Sequence, residues 1–377
     1  MKKKVIIIGS GIAGLTLANF LKKNPNYEFI IYEKDQNLNL NEGYGIQLSV
    51  NSTSILNKVG FEKINSREKY IPTKLDLYST KLDKICDLDL SQFNNEKNKY
   101  VTIKRSVLIK FLRNELFPNS IIFGKTIKNI DKSQKRIKIN FSDNSFDEAD
   151  YLVVSDGVFS GTKSMIEERK INPIFFGSIA IRSTIRINEI TSVNPKNISL
   201  IMGPGVHIVL YPFNNQEELN LVCIVRCSFE EIDKCRSILE KKFSSENKKL
   251  LTLFHGDLKS WPIYTSSKPF KSKHKNIFYI GDAFYSFPPT MAQGASQSIE
   301  AANELFELLT GDNEMIHNIY YTNRLKRTHQ INKRSNFNYF AFHLSNPVFI
   351  LIRNFLIKIL FRSKSFKESY LGKVFRK

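Results

Sequence analysis

Three glycines near the start of the chain have the spacing of a phosphate-binding turn. They are Gly9, Gly11 and Gly14, and they follow an apolar run at residues 5–8. In such a turn the first glycine allows a tight bend, the second lets a pyrophosphate approach the backbone, and the third lets a helix pack closely on a strand. The free N–H groups at the start of that helix then face the phosphates. The spacing predicts a dinucleotide-binding turn.

The residues around these glycines predict the elements that position them. Residues 2–34 have the pattern of a strand, a tight turn, a helix and a second strand, which ends at Glu33, 19 residues after Gly14. A carboxylate at this place accepts hydrogen bonds from the ribose of adenosine. The basic start and apolar stretch are also typical of a signal peptide, but the glycine spacing favours the strand, turn and helix. The motif by itself does not choose between FAD and NAD.

The residue types of a second stretch lower its local stability, which indicates a functional role. Residues 281–305 place Gly281 and Asp282 after the apolar segment NIFYI, add two prolines, and then open a helix on Gly294 and Ala295. The prolines stiffen the loop, and a helix start with free N–H groups can stabilise negative charge. A proline-rich connecting loop without function is the alternative. The stretch predicts a rigid wall that is rich in hydrogen-bond donors.

Composition limits the classes of protein to consider. The chain has 377 residues, enough for two or three domains, and a net charge of +20. Its basic residues are spread along the sequence without a helix-turn-helix, zinc-finger or RNP-like pattern, so a nucleic-acid partner is not expected. The four cysteines lack metal-ligand spacing, so we expect no metal site, and reduced thiols predict a cytoplasmic location. Nothing in the sequence indicates the oligomeric state.

Several segments, taken in order, resemble one enzyme family over about residues 1–335. After the glycine turn come NEGYGIQLSVNSTSILNKVGF at residues 41–61, Arg105 in YVTIKRSVLIKFL, Asp156 and Gly157 at the end of YLVVS, and then the stretch at 281–305. Together they resemble the single-component FAD-dependent aromatic hydroxylases, in particular the branch of salicylate hydroxylase and 3-hydroxybenzoate 6-hydroxylase. Several separate motifs in order are far more specific than one.

The resemblance implies a reaction and a place for FAD. NADH or NADPH would reduce FAD, O₂ would form a flavin hydroperoxide, and one oxygen atom would pass to an aromatic or related conjugated ring. Arg105 would pair with the pyrophosphate, and Asp156 and Gly157 would hold the flavin and nicotinamide regions. Asp282 would accept a hydrogen bond from the ribityl chain. The residues implied to lie beside the isoalloxazine ring are Pro289, Gly294 and Ala295.

The resemblance also assigns residues to the substrate. His207 and Tyr211 lie four apart in one expected strand, so both side chains point to the same face. From the residues alone, His207 is a structural strand histidine. The resemblance implies instead that it removes a phenolic proton, that Tyr211 orients the substrate, and that Gln293 lies beside the flavin. Gln47 and Tyr100 are weaker candidates for the pocket.

Two departures from the family pattern concern the substrate and nicotinamide regions. The family usually has Ala-His-Pro or a similar triplet where this chain has Phe284, Tyr285 and Ser286. It also usually carries an arginine near the position of Lys163. Neither change affects the prediction of a flavin fold.

The predicted fold class is α/β, with a Rossmann-like FAD-binding domain and an inserted substrate domain. Short alternating strands between residues 172 and 270 predict an antiparallel sheet for the insert. The expected boundaries are 1–69, 100–171 and 272–335 for the FAD-binding domain, 70–99 and 172–271 for the substrate domain, and 336–377 for a helical, basic C-terminal tail.

The tail leaves two interpretations open. Residues 348–361 are strongly apolar but include Arg353, Asn354 and Lys358 on one side of a helical wheel, and the segment is too short to cross a membrane. A helix at 347–377 would either lie on an anionic bilayer at the inner face of the membrane or pack against the substrate domain.

Three alternatives to an aromatic hydroxylase of small substrates also stay open. They are a ubiquinone-pathway hydroxylase acting on a prenylated phenol at the membrane, a flavin-dependent reductase of the same fold, and a non-catalytic flavin-binding protein.

Overall fold

The computed structural model describes residues 2–38, 40, 44–132, 135–215, 218–243, 248–256, 258–311 and 314–375. Residues 41–43 of the second family-like segment and the last two basic residues of the tail therefore lie outside the described residues. In chain order the strands are β1 (Lys3–Ile8), β2 (Tyr27–Tyr32), β3 (Gly45–Leu48), β4 (Lys69–Tyr70), β5 (Lys74–Ser79), β6 (Lys84–Asp89), β7 (Val101–Lys104), β8 (Ile121–Ile122), β9 (Ile127–Asp131), β10 (Ile137–Phe141), β11 (Phe146–Ala149), β12 (Tyr151–Val154), β13 (Ile174–Arg186), β14 (Ile198–Gly203), β15 (Val206–Pro212), β16 (Glu218–Arg226), β17 (Ser260–Thr265) and β18 (Ile277–Tyr279). The α-helices are α1 (Ile12–Leu21), α2 (Val50–Asn57), α3 (Arg105–Asn114), α4 (Gly161–Ile166), α5 (Cys235–Phe243), α6 (Lys248–Leu251), α7 (Gly294–Thr310), α8 (Ile316–Phe342), α9 (Pro347–Leu360), α10 (Lys364–Lys367) and α11 (Lys373–Phe375).

A parallel five-stranded sheet carries the N-terminal turn. Its strand order is β18-β12-β1-β2-β8, with β1 at the centre between β12 and β2. The apolar runs of β1 and β12 are buried, which is typical of parallel strands in α/β folds. Helix α1 packs against α3 and α7 and is almost wholly buried. The prediction of a Rossmann-like α/β fold is confirmed.

A seven-stranded sheet forms the second layer. Its order is β17-β13-β16-β15-β14-β5-β6, and β5 and β6 join it as predicted. The prediction of an antiparallel sheet is wrong for one pair, because β5 and β14 run parallel. Short links make consecutive strands antiparallel, but β5 comes from a distant part of the chain, so no hairpin sets its direction. The division into domains at the expected boundaries stays a prediction.

The seven-stranded sheet has two different faces. Alternate side chains of β15 and β16, including Ile208 and Leu210, pack with α5 and α6 in an apolar core. The intervening side chains, including His207, Val209 and Tyr211, point to the opposite face and line a cavity. Strand β3, paired with β7 in a small antiparallel sheet, borders the same cavity.

The C-terminal helices lie across the open side of this cavity. Helix α9 contributes several lining residues, and the segment after it returns to bury Leu371, Val374 and Phe375 in an apolar cluster with residues of the seven-stranded sheet. The guanidinium of Arg327 donates hydrogen bonds to the carbonyl oxygens of Lys373 and Val374 and so fixes this return. Among the described helices, none combines the length and apolar character needed to cross a bilayer.

Candidate active site

Close backbone packing requires glycine at two positions of the turn. Gly9 has a φ of +99°, and a Cβ there would lie 2.8 Å from the carbonyl oxygen of Ser155. A Cβ at Gly14 would lie 2.3 Å from the carbonyl oxygen of Gly9. Gly11, which precedes α1, has open space where a Cβ would lie. The turn thus packs against the end of β12 on one side and is open at Gly11 on the other.

Glu33 lies beside this turn. One carboxylate oxygen of Glu33 accepts hydrogen bonds from the backbone N–H of Ser10, at 2.8 Å, and from the Ser10 hydroxyl, at 2.7 Å. The other oxygen accepts a hydrogen bond from the N–H of Asp35, at 3.2 Å. The end of β2 therefore places a carboxylate against the glycine turn, and its role as a ribose acceptor stays a prediction.

Asp282 and Arg105 approach each other at the far side of the turn. Asp282 is exposed to solvent on one side, and protein atoms surround it on the others. This partial enclosure disfavours the charged form and raises the pKa of Asp282 to about 6, although the positive charge of Arg105 opposes the shift. Gly281 has a φ of +61°, and a Cβ there would lie 3.0 Å from Cβ of Ala13 in α1. Glu33 and Gly281 thus lie near the start of α1, and Arg105 lies close enough to Asp282 for its charge to act on that carboxyl group.

Asp156 and Lys163 complete this region. Oδ2 of Asp156 accepts a hydrogen bond from the N–H of Thr162 at 3.3 Å, and its buried Oδ1 has no partner among the described residues. Burial raises the pKa of Asp156. Lys163 is buried and its Nζ donates to the carbonyl oxygen of Ala283 at 3.0 Å. Lys163, near the position of the family's usual arginine, therefore connects α4 to the segment that contains Asp282.

The region fits an elongated nucleotide such as FAD. A Cβ built at Gly11, Gly157 or Gly294 meets nothing within 4 Å, so these backbones border open space. Helices α1 and α7 both start without a side-chain cap, which leaves their N–H groups for an anion or carbonyl. The unpartnered oxygen of Asp156 adds a buried acceptor. Donors, acceptors and space together match the chemistry of a flavin dinucleotide.

The cavity adjoins this region. It has a volume of about 640 Å³ and lies between the face of the seven-stranded sheet and the C-terminal helices. The predicted loop residues Pro289, Gly294 and Ala295 line it on the nucleotide side. The candidate substrate residues that also line it are Gln47, Tyr100, His207 and Tyr211. The structure therefore brings together two sets of residues that lie far apart in the sequence.

His207 is buried and has a histidine partner. Its Nδ1 lies 2.7 Å from Nε2 of His343, which ends α8. Burial lowers the pKa of both histidines well below the usual range, so both rings are neutral near pH 7 and share one hydrogen bond. The ring of Phe342 packs edge-on against His207 at 5.4 Å. These contacts fix the orientation of the imidazole at the cavity wall.

Tyr211 belongs to a hydrogen-bonded group at the nucleotide end of the cavity. Its hydroxyl donates to the carbonyl oxygen of Gly45 at 2.7 Å, while the N–H of Gly45 donates to Asn220 at 2.8 Å. The hydroxyl of Tyr100 donates to Oε1 of Gln47 at 2.7 Å. Burial raises the pKa of Tyr211, so its hydroxyl is a neutral donor.

The side chain of Gln293 is held in a buried polar cluster. Its Nε2 donates to Oγ of Ser49 at 2.8 Å and its Oε1 accepts from Asn51 at 3.4 Å, within a buried polar cluster below α7. Among the described lining residues, its neighbours Ala292 and Gly294 are present and Gln293 is not. Ser49 and Asn51 thus hold this side chain in place, and its position beside the flavin stays a prediction.

Arg182 lines the cavity, and the sequence did not predict this position. Its guanidinium carbon lies 5.5 Å from the ring centre of Tyr44 and 5.8 Å from that of Trp261. Its Nε is buried without a hydrogen-bond partner among the described residues, and its charge acts on the nearby Tyr211. No local spacing connects these residues, since they come from three separate elements. His343 was missed for the same reason.

The residues that depart from the family triplet pack within the protein. Phe284 and Tyr285 are buried, and the rings of Tyr285 and Phe287 are 4.9 Å apart. The hydroxyl of Ser286 donates to the carbonyl oxygen of Tyr264 at 3.0 Å. The departure thus joins this loop to β17.

Comparison with known proteins gives a family and several relatives. Residues 2–335 match the family described as FAD binding domain. The 3-amino-4-hydroxybenzoate 2-monooxygenase of Streptomyces cremeus is 22% identical over 356 residues, which cover 90% of this chain and 88% of that protein. The 6-hydroxynicotinate 3-monooxygenase of Bordetella bronchiseptica is 22% identical over 365 residues, covering 92% of this chain and 94% of the relative.

Solved structures share the fold at low sequence identity. Klebsiella pneumoniae HpxO, complexed with FAD and uric acid, superposes with a TM-score of 0.84 at 17% identity and covers 99% of this chain and 96% of its own. A salicylate hydroxylase substrate complex gives a TM-score of 0.76 at 17% identity, with 96% of each chain covered. These likenesses extend over both sheets and the C-terminal helices.

Proposed function

The chain belongs to the FAD binding domain family, and on this basis we propose that it is an FAD-dependent monooxygenase that hydroxylates an aromatic or related conjugated ring. The observation that carries the proposal is the position of His207 and Tyr211. They face a 640 Å³ cavity whose opposite wall is the loop and helix start at Pro289, Gly294 and Ala295. Relatives of the same length that are named monooxygenases of hydroxylated aromatic rings support it.

The bound FAD would supply the redox chemistry, in which it takes a hydride from NADH or NADPH and activates O₂ so that one oxygen atom reaches the ring. Glu33 would hold its adenosine ribose, Arg105 its pyrophosphate and Asp282 its ribityl chain. The uncapped start of α7 would stabilise negative charge at the flavin ring. Asp156 and Gly157 would border the flavin and nicotinamide regions.

The cavity residues would prepare the substrate. His207 would accept the phenolic proton as the phenolate forms, because the negative charge of the phenolate beside the imidazolium would offset the burial that lowers the pKa of the free imidazole. This makes the ring electron-rich where oxygen is to be added. Arg182 would stabilise the same negative charge, because its unpartnered Nε lies in the cavity wall near Tyr211. The apolar walls would exclude water and so limit loss of activated oxygen as peroxide.

A second candidate substrate is a phenol with a long apolar chain. The cavity continues from His207 to α9, where its walls are aliphatic and aromatic, including Ile352, Leu356 and Ile357. A single aromatic ring leaves this part unfilled. The prenylated phenol that the sequence left open fits this shape, and the predicted membrane contact of residues 347–377 stays a proposal linked to it.

The experiment that tests the proposed function is a substrate screen. Purified protein should be yellow and release FAD on denaturation. Phenols, aromatic acids and a prenylated phenol are then compared for stimulation of NADH or NADPH oxidation, and product mass is measured. The proposal predicts at least one ring compound whose product gains a single oxygen. A colourless protein that FAD does not reconstitute contradicts it, and reduction of the substrate without oxygen gain indicates the reductase alternative.

Affinity for FAD is expected to fall on acidification because of Asp282. Burial raises its pKa to about 6 against the opposing charge of Arg105. Only the deprotonated form is a pure acceptor for the ribityl chain, so its contribution is present above that pKa and is lost as the pH falls through it. Titration of apoprotein with FAD should give a Kd about tenfold higher near pH 5 than near pH 7.5. The Asp282→Asn variant should lack this difference; an equal difference in both proteins would contradict the role.

A further inference from the structure

We infer that α9 docks on the surface of an anionic lipid bilayer and that the cavity receives an apolar ring substrate from that side. The docking stands on the structure of α9 itself, whereas the delivery of substrate rests on the proposed function. The sequence leaves open whether α9 lies on a bilayer or packs against the protein, and four observations favour the bilayer.

Arg353 of α9 points inward, whereas most of the large apolar side chains of α9 are exposed. Arg353 is only 6% exposed, and its Nη1 donates to the carbonyl oxygen of Ala341 in α8 at 2.9 Å. Leu351 and Phe355, in contrast, are 69% and 64% exposed. A helix on a water-facing surface has the opposite arrangement. Apolar side chains on the outside are stable when hydrocarbon covers them.

The exposed residues are part of one larger apolar surface. Besides Leu351 and Phe355, other large apolar side chains of α9 and of the end of α8 are exposed. They are Phe337, Phe340, Val348, Phe349, Ile352, Leu356, Ile359 and Leu360. Exposed apolar surface concentrated on neighbouring elements in this way indicates an interaction site rather than a random distribution.

The same surface borders the cavity. Phe349, Ile352 and Leu356 line the cavity and are also exposed to solvent. The wall between the cavity and the outside is therefore one helix thick, and it is apolar on both sides. A ring compound with an apolar chain could pass from a bilayer to His207 without crossing a polar layer. A water-soluble substrate does not need such an apolar path.

Charge selects an anionic bilayer over a second copy of this chain. From residue 345 to residue 375 there are six basic side chains and one acidic side chain, Glu368. Lys358, Arg362 and Lys364 are exposed beside the apolar surface. Two copies of a chain with a net charge of +20 would bring these like charges together, whereas acidic lipid headgroups would pair with them.

The test compares binding of the full-length holoenzyme to vesicles of phosphatidylcholine with and without phosphatidylglycerol. Wild-type protein should sediment with the anionic vesicles. The double variant Leu351→Glu/Phe355→Glu should sediment at least about tenfold less, because it places charge in the apolar contact. Neither residue lines the cavity. The matched control is Phe117→Glu/Phe229→Glu, which changes two exposed phenylalanines elsewhere, and it should bind like wild type.

Each outcome decides the inference. Wild-type protein that stays in solution contradicts it, as does equal binding by the α9 variant and wild type. A wild-type dimer that the α9 variant converts to monomer, without vesicle binding, identifies a second copy as the occupant and also overturns it. Hydroxylation of a vesicle-borne alkylphenol should fall in the α9 variant while turnover of a water-soluble phenol is kept, and equal loss of both contradicts delivery from the bilayer. Vesicle binding without hydroxylation of either phenol contradicts the proposed function and leaves the docking supported.

Discussion

Replacement of His207 by asparagine is expected to lower kcat for hydroxylation by about 10²- to 10⁴-fold, with FAD still bound. His207 faces the cavity and is neutral because burial lowers its pKa. Burial also makes the free imidazole a weak base, so the proton transfer depends on the phenolate that forms beside the imidazolium and stabilises it. Asparagine keeps a similar size and a hydrogen-bonding group toward His343 but cannot accept that proton. Oxidation of NADH or NADPH should continue and release hydrogen peroxide in place of product.

The measurement for this variant is the ratio of hydroxylated product to NAD(P)H consumed. A matched control is His317→Asn, since His317 is a partly buried histidine that contacts the carbonyl oxygen of Ser272 and lies outside the described cavity lining. The control should keep kcat within about twofold of wild type. Unchanged product yield in His207→Asn would remove the assigned role.

Replacement of Glu300 by alanine is expected to lower the free energy of unfolding by about 3–5 kcal/mol. Glu300 is fully buried in α7, and its two oxygens accept hydrogen bonds from Nη2 of Arg327 at 2.7 Å and from Nε of Arg327 at 2.9 Å. Arg324 lies 3.7 Å away. Although burial alone would raise the pKa of Glu300, these arginines hold it below its ordinary value. The alanine variant leaves two arginines without this carboxylate in the interior between α7 and α8.

Urea unfolding of apoprotein measures this effect. The control Glu307→Ala lies on the same helix but removes an exposed pair with Lys58, at 3.1 Å, and should cost about 0–1 kcal/mol. Because the folded pKa of Glu300 is depressed, its contribution is present at neutral pH and is lost as the pH falls through that pKa. The difference between wild type and Glu300→Ala should therefore shrink in acid. Equal destabilisation by both alanine variants would show that the buried cluster adds nothing beyond a surface pair.

Features with a local cause could be predicted from the sequence. The glycine turn, the strand that ends at Glu33 and the helix that opens on Gly294 all follow from backbone requirements of neighbouring residues. The same holds for His207 and Tyr211 sharing one face, because side chains alternate along a strand.

Features that depend on which segments meet could not be predicted. The sequence did not indicate that Ser49 and Asn51 bind the side chain of Gln293. The parallel pairing of β5 and β14 could not be predicted either, because no hairpin connects these strands. The helical wheel of residues 348–361 groups Arg353 with Asn354 and Lys358, yet only tertiary contacts decide that Arg353 is buried against α8 while Lys358 is exposed.

The central claim is that this chain inserts one atom of O₂ into an organic ring. The most direct measurement is the mass of the product formed from the best substrate of the screen under ¹⁸O₂ in unlabelled water. The account predicts one ¹⁸O atom per product molecule, with one NADH or NADPH oxidised for each. An unlabelled product, or NAD(P)H consumption that yields only hydrogen peroxide with every ring compound tested, would contradict it.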